Sequence, residues 1–125
     1  MGISTDDKAR NILEKLPNEC PSIDYKEKPY KLDEPHSKVS LIKDVIAMLN
    51  TVETMHDDKF IIVGVTDNGH ELKGIEKNAW RDDNEWQNLL DNGITPSPHC
   101  TTGTVKFEEK LFGYIYISST NNDWV

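Results

Sequence analysis

The chain has 125 residues, 22 acidic against 14 basic, giving a formal charge of −8 and a pI near 4.9. That length fits one domain with a real core, and 36% hydrophobic with 29% charged residues excludes a disordered composition. The acidic balance argues against broad electrostatic coating of nucleic acid, yet it leaves room for a local basic patch or for acids that hold a divalent metal.

No apolar run nears the roughly 20 residues of a membrane span, and no signal-peptide pattern opens the chain. Asp6 stands where a myristoylation pattern needs Ser or Thr. A cytoplasmic protein with no membrane partner is expected. Cys20 and Cys100 form no Cys-x-x-Cys pair, so both read as reduced structural thiols.

In chain order, Ser4-Thr5-Asp6-Asp7 supplies capping oxygens for a helix over about 1–17, with Ala9, Ile12, Leu13 and Leu16 as its stripe and Pro17 as its stop. Ser22–Lys26 reads as a short alternating strand, Ile23 and Tyr25 to one side, Asp24 and Lys26 to the other. The charged stretch from Glu27 to His36, with Pro29 and Pro35, reads as a loop. Ser37 is placed to cap the main helix, which carries Leu41, Ile42, Val45, Ile46, Met48 and Leu49 at helical spacing up to about Thr51.

A polar connection leads to Phe60–Val65, a continuous apolar run that suits a central strand covered on both faces. Asp67-Asn68-Gly69-His70 has type I′ turn composition, so Glu71–Ile75 is expected to pair back as a hairpin. Asp82-Asp83 caps a third helix with Trp86, Leu89 and Leu90 on one face and Gly93 as its stop. Residues 94–98 form an extended connector. Thr104–Phe107 and Phe112–Ser118 then flank Glu108-Glu109-Lys110-Leu111 as a second hairpin. Residues 119–125 are a polar tail. The expected fold is α+β (mixed α/β), one domain over residues 1–125, with a central mixed sheet, two β-hairpins and about three helices.

Chemistry can gather at one place. Asp24 and Lys26 share a strand face, Glu19 lies on the turn before it, and Asp67 follows the central strand. If the two strands are neighbours, three carboxylates and an ammonium converge. Metal-assisted phosphodiester cleavage uses that set: acids to hold Mg²⁺ or Mn²⁺, and a cation for the developing charge. The same residues also fit a solvated strand face and an Asp that caps a turn.

Asp24-Tyr25-Lys26, the helix LIKDVIAMLNT, the strand FIIVGVTD, Lys73-Gly74-Ile75 and Ile94-Thr95-Pro96 follow one another in an order that resembles the Schlafen AlbA-like domain. The likeness runs from about Glu19 to Ile117. It implies a nucleic-acid-binding domain of bacterial type, normally fused to an effector. In animal relatives some such domains cut RNA with a metal held by three acids. Those positions fall here on Glu19, Asp24 and Asp67, with Lys26 as the strand lysine. Under that reading the four are catalytic, the three acids hold Mg²⁺ or Mn²⁺, and no organic cofactor is needed.

The chain departs from the family pattern in three places. The Gly-Gly that usually follows the main helix is missing, Asp24 replaces the commoner Glu, and the tail stops where the family runs on, as a short form or a piece of a longer protein would. A single lobe also implies a homodimer for gripping a duplex.

Lys26, Lys28, Lys31, Lys38 and Lys43 are the densest basic stretch, and Trp80 beside Arg81 is the best placed aromatic for stacking a base. His99-Cys100 is half a zinc pattern without its other half. The leading expectation is a nucleic-acid-binding domain, within which metal-dependent nuclease activity is left open. The alternative is a non-catalytic recognition or protein-interaction module.

Overall fold

A computed structural model describes residues 4–17, 22–31, 33–49, 58–66, 71–80, 83–93 and 100–117. Helix α1 spans Thr5–Lys15, strand β1 Ile23–Lys26, helix α2 Pro35–Leu49, strand β2 Lys59–Val63, helix α3 Asp83–Gly93, strand β3 Cys100–Phe107 and strand β4 Lys110–Ile117. A short 3₁₀ turn, Lys77–Ala79, precedes α3. The four strands form one mixed sheet in the order β1-β2-β4-β3, with β1 parallel to β2 and the other pairs antiparallel. The expected α+β class is the observed one.

Alternation along β2 divides the core between the two faces of the sheet. Phe60 and Ile62 pack with Ala9 and Leu13 of α1, Tyr25, Phe112 and Tyr114. Ile61 and Val63 pack on the other side with Leu41, Val45 and Met48 of α2 and with Trp86 and Leu90 of α3. Every residue of β2 is buried, Phe60–Val63 as their unbroken apolar run demands and the charged Lys59 with them.

The helix ends follow local chemistry. Ser4 accepts a bond from the Asp7 N–H at 3.1 Å, and Leu16 closes α1 in the left-handed region (φ 45°) just before Pro17. The main helix starts at Pro35, two residues before the expected cap. Proline suits the first turn, where its missing N–H has no intrahelical partner. The Ser37 hydroxyl instead accepts from the Lys31 N–H at 2.9 Å.

Three strand assignments differ from expectation. Glu71–Ile75 does not form a strand: Val65 and Leu72 make a single bridge, and the Ile75 N–H goes to Leu111 O at 2.7 Å. The turn at 67–70 lies outside the described residues. The β3–β4 turn is only Glu108-Glu109, both at positive φ (50° and 66°), so Lys110 and Leu111 belong to β4. β3 starts at Cys100, four residues earlier than the pattern indicates, because Thr101, Thr102 and Gly103 give no apolar alternation. No helix among the described residues is long and apolar enough to cross a membrane.

Candidate functional site

The sheet places β1 directly beside β2, with Asp24 opposite Ile61 and Lys26 opposite Val63. Beyond the pairing, the N–H groups of Gly64 and Val65 both reach Lys26 O, at 2.7 and 3.2 Å. Gly64 sits at φ +114°, and a Cβ there would come within 2.8 Å of the Phe112 ring and 3.2 Å of Gly74 Cα. Only glycine allows this turn at the end of β2. The chain that continues to Asp67 therefore leaves the sheet next to the carboxyl end of β1. In open α/β sheets, ligands bind at such ends of parallel strands.

Tyr25 is fully buried on the α1 face, which sends Asp24 and Lys26 to the α2 face. There Lys26 Nζ lies 3.3 Å from Asp24 Oδ2 and 3.4 Å from Asp44 Oδ2. Tyr30 donates its hydroxyl to the same Asp44 oxygen at 2.5 Å. Burial pulls the Lys26 ammonium toward its neutral form, but the two carboxylates outweigh it and hold its pKa above the usual 10.5. The Tyr30 phenol is pushed well up, first by burial and then by its bond to Asp44. Lys26 therefore stays charged and clamped between two acids.

Asp44 and Tyr30 were not among the sequence candidates. Asp44 lies between Leu41 and Met48, at the spacing of the buried stripe of α2. A carboxylate on an apolar helix face is the signal that points to it.

Of the remaining sequence candidates, Lys28, Lys31 and Trp80 lie within the described residues. Glu19, Asp67 and Arg81 lie outside the described residues, as do Cys20 and His99. Among the described residues no group of three His, Cys, Asp or Glu is placed to hold a metal ion. Asp24 and Asp44 can offer oxygens to a cation, but one bound between them would take the place of the Lys26 ammonium.

Lys28 lines a cavity of about 630 Å³ with Lys73, Lys106 and Lys110, balanced there by Glu27, Glu76 and Glu109. Lys31 is exposed and pairs loosely with Glu34 at 3.7 Å. Lys38 lines a different cavity beside Glu85. The basic run of the sequence thus does not collect on one surface. Trp80 stacks on Trp86 with ring centroids 4.7 Å apart and a 35° tilt. It also covers Gly113, where any Cβ would strike its ring.

The model of the family described as Schlafen, AlbA_2 matches residues 19–124. No curated protein gives a significant match. Among solved structures, the crystal structure of the DIP2311 protein from Corynebacterium diphtheriae is similar at 18% identity and a TM-score of 0.50. The match covers 78% of this chain and 18% of that one, so the chain spans less than a fifth of that protein. At such identity the likeness is one of fold alone. The matched segment takes in most of the chain, with all four strands and helices α2 and α3, and this chain belongs to the Schlafen, AlbA_2 family.

Proposed function

We propose that this chain is a nucleic-acid-binding domain whose working end is the carboxyl end of the parallel β1–β2 pair. One observation carries the reading: Lys26 is held charged at that end, and the segment leading to Asp67 emerges beside it. Once its carboxylates are engaged elsewhere, an ammonium at a strand end suits a phosphodiester. The finer reading is a metal-dependent nuclease in which Glu19, Asp24 and Asp67 hold Mg²⁺ or Mn²⁺. Bound there, the ion would polarise the phosphate and activate water. Lys26, released from Asp24, would then face the developing negative charge.

The clamp on Lys26 supports the second reading, a non-catalytic recognition module. Asp24 and Asp44 are both engaged by the ammonium, and in that state the pair is a structural tie. A homodimer supplying a second lobe, and an effector fused to the domain, belong to the same proposal.

Incubating the purified chain with mixed tRNA and single-stranded DNA, in Mn²⁺ and then in EDTA, separates the readings. Cleavage that requires both metal and Asp67, judged with Asp67→Asn, establishes the nuclease. A shifted but intact band establishes the binding module. The absence of any shift at low salt overturns both and favours a protein partner.

A further inference from the structure

The last strand of the sheet, β3, has a cavity of about 620 Å³ wrapped around its outer edge. Arg10 enters it from the α1 face, Lys77 and Trp80 from the opposite face, and Thr104 and Lys106 from the strand itself. Among the described residues no acidic side chain lines it. In a chain of charge −8 this is unusual. Arg10 shares its guanidinium with Asp7 at 3.0 Å, while neither Lys77 nor Lys106 has an acidic partner among the described residues.

The strand adds donors of its own. The Thr102 N–H points away from β4 and is taken by Asp83 Oδ1 at 2.9 Å. Residues two apart in an antiparallel ladder turn their N–H and C=O groups the same way, so Thr104 and Lys106, which both line the cavity, present theirs off the same edge. Three side-chain cations beside outward backbone N–H groups, with no carboxylate among the described lining residues, suit a phosphate.

Trp80 argues for phosphate over base. Its ring is committed to Trp86 and Gly113, so it offers the cavity a wall rather than a free stacking face. The recess has the volume of a small ligand site and admits one or two nucleotides of a flexible strand, whereas a stiff duplex meets only its rim. Lys106 and Leu111 also line the neighbouring cavity, where Glu27, Glu76 and Glu109 balance the lysines, so the acid-free recess is the better phosphate seat of the two.

We infer that the outer edge of β3 seats the phosphates of single-stranded nucleic acid through Arg10, Lys77, Lys106 and the outward N–H groups of Thr104 and Lys106. The inference rests on the proposed nucleic-acid function and places contacts away from the Lys26 clamp. The test is fluorescence anisotropy with a labelled single-stranded oligonucleotide over a salt series. The whole chain is compared with Lys77→Glu/Lys106→Glu and with the milder Lys77→Ala/Lys106→Ala. Both lysines are exposed, and circular dichroism checks that each variant folds.

The alanine pair is expected to lose about tenfold in affinity at low salt and to flatten the salt slope by about 1.4, the share of two phosphate contacts on a single strand. The reversed pair loses more. Unchanged affinity and slope in both pairs, with loss instead on Lys26→Ala/Lys28→Ala, overturns the site but leaves the general function standing. No binding by the unaltered chain overturns both.

Discussion

Lys26 on β1 and Asp44 on α2 meet at 3.4 Å, tying the edge strand of the sheet to the main helix that covers it. Asp44 also accepts the Tyr30 hydroxyl, so one carboxylate satisfies two donors from two segments. Replacing Asp44 with alanine leaves the Tyr30 hydroxyl buried without its acceptor, at a cost of about 1–3 kcal/mol. Urea denaturation of Asp44→Ala measures it. Tyr30→Phe, which removes the donor and keeps the ion pair, should cost less.

The same cluster sets an alkaline limit. Lys26 and Tyr30 both have folded-state pKa values above their ordinary 10.5 and 10.0, so the folded chain holds those protons more tightly than the unfolded one. Their contribution is complete below pH 10 and is lost as pH rises through the folded values. Tyr114, raised by burial and by its bond to Asp6, acts in the same direction. Unfolding midpoints should therefore fall above pH 10, and less steeply for Lys26→Met/Tyr30→Phe.

Burial, with smaller contributions from Asp83 and Asp91, pushes the Cys100 thiol up to about 12. At pH 8 its thiolate fraction is then roughly a thousandfold below that of a free cysteine, and the thiolate is the reacting form. In a Cys20→Ser background, a thiol reagent should leave the native chain nearly unmodified and react at once in urea.

The β3–β4 turn carries avoidable strain. Glu108 and Glu109 occupy the two positive-φ positions of a two-residue hairpin, a geometry that favours Asn-Gly. Glu108→Asn/Glu109→Gly should raise stability by about 1 kcal/mol, seen as a higher thermal midpoint.

Gly64→Ala should act in the opposite sense. Its positive φ and the close approach of Phe112 and Gly74 predict a loss of about 2–5 kcal/mol. A variant that still folds should show weakened packing where β2 ends beside Lys26.

Much of the fold is legible where apolar periodicity is strong. α1, α3 and β2 follow from their stripes, and the split of β1 into a Tyr25 face and an Asp24–Lys26 face follows from simple alternation. The misses have physical causes. Pro35 breaks a helix interior but opens a first turn, and composition alone does not separate the two. Thr102 belongs to β3 through its pairing with Ile115, and Asp83 receives its N–H and hydroxyl, contacts that sequence spacing does not display. Asp44 becomes a site residue only when β1 is laid under α2. Arg10, Lys77 and Lys106 are far apart in the chain, and only the edge of the sheet makes them neighbours.

Nucleic-acid binding by this acidic chain underlies the proposed function. Its most direct test is a titration of labelled single-stranded RNA and DNA with the whole chain, repeated across a range of salt. The account predicts saturable binding that weakens linearly in log affinity against log salt, as released counterions require. An unchanged signal at the lowest salt, with either nucleic acid, would contradict it.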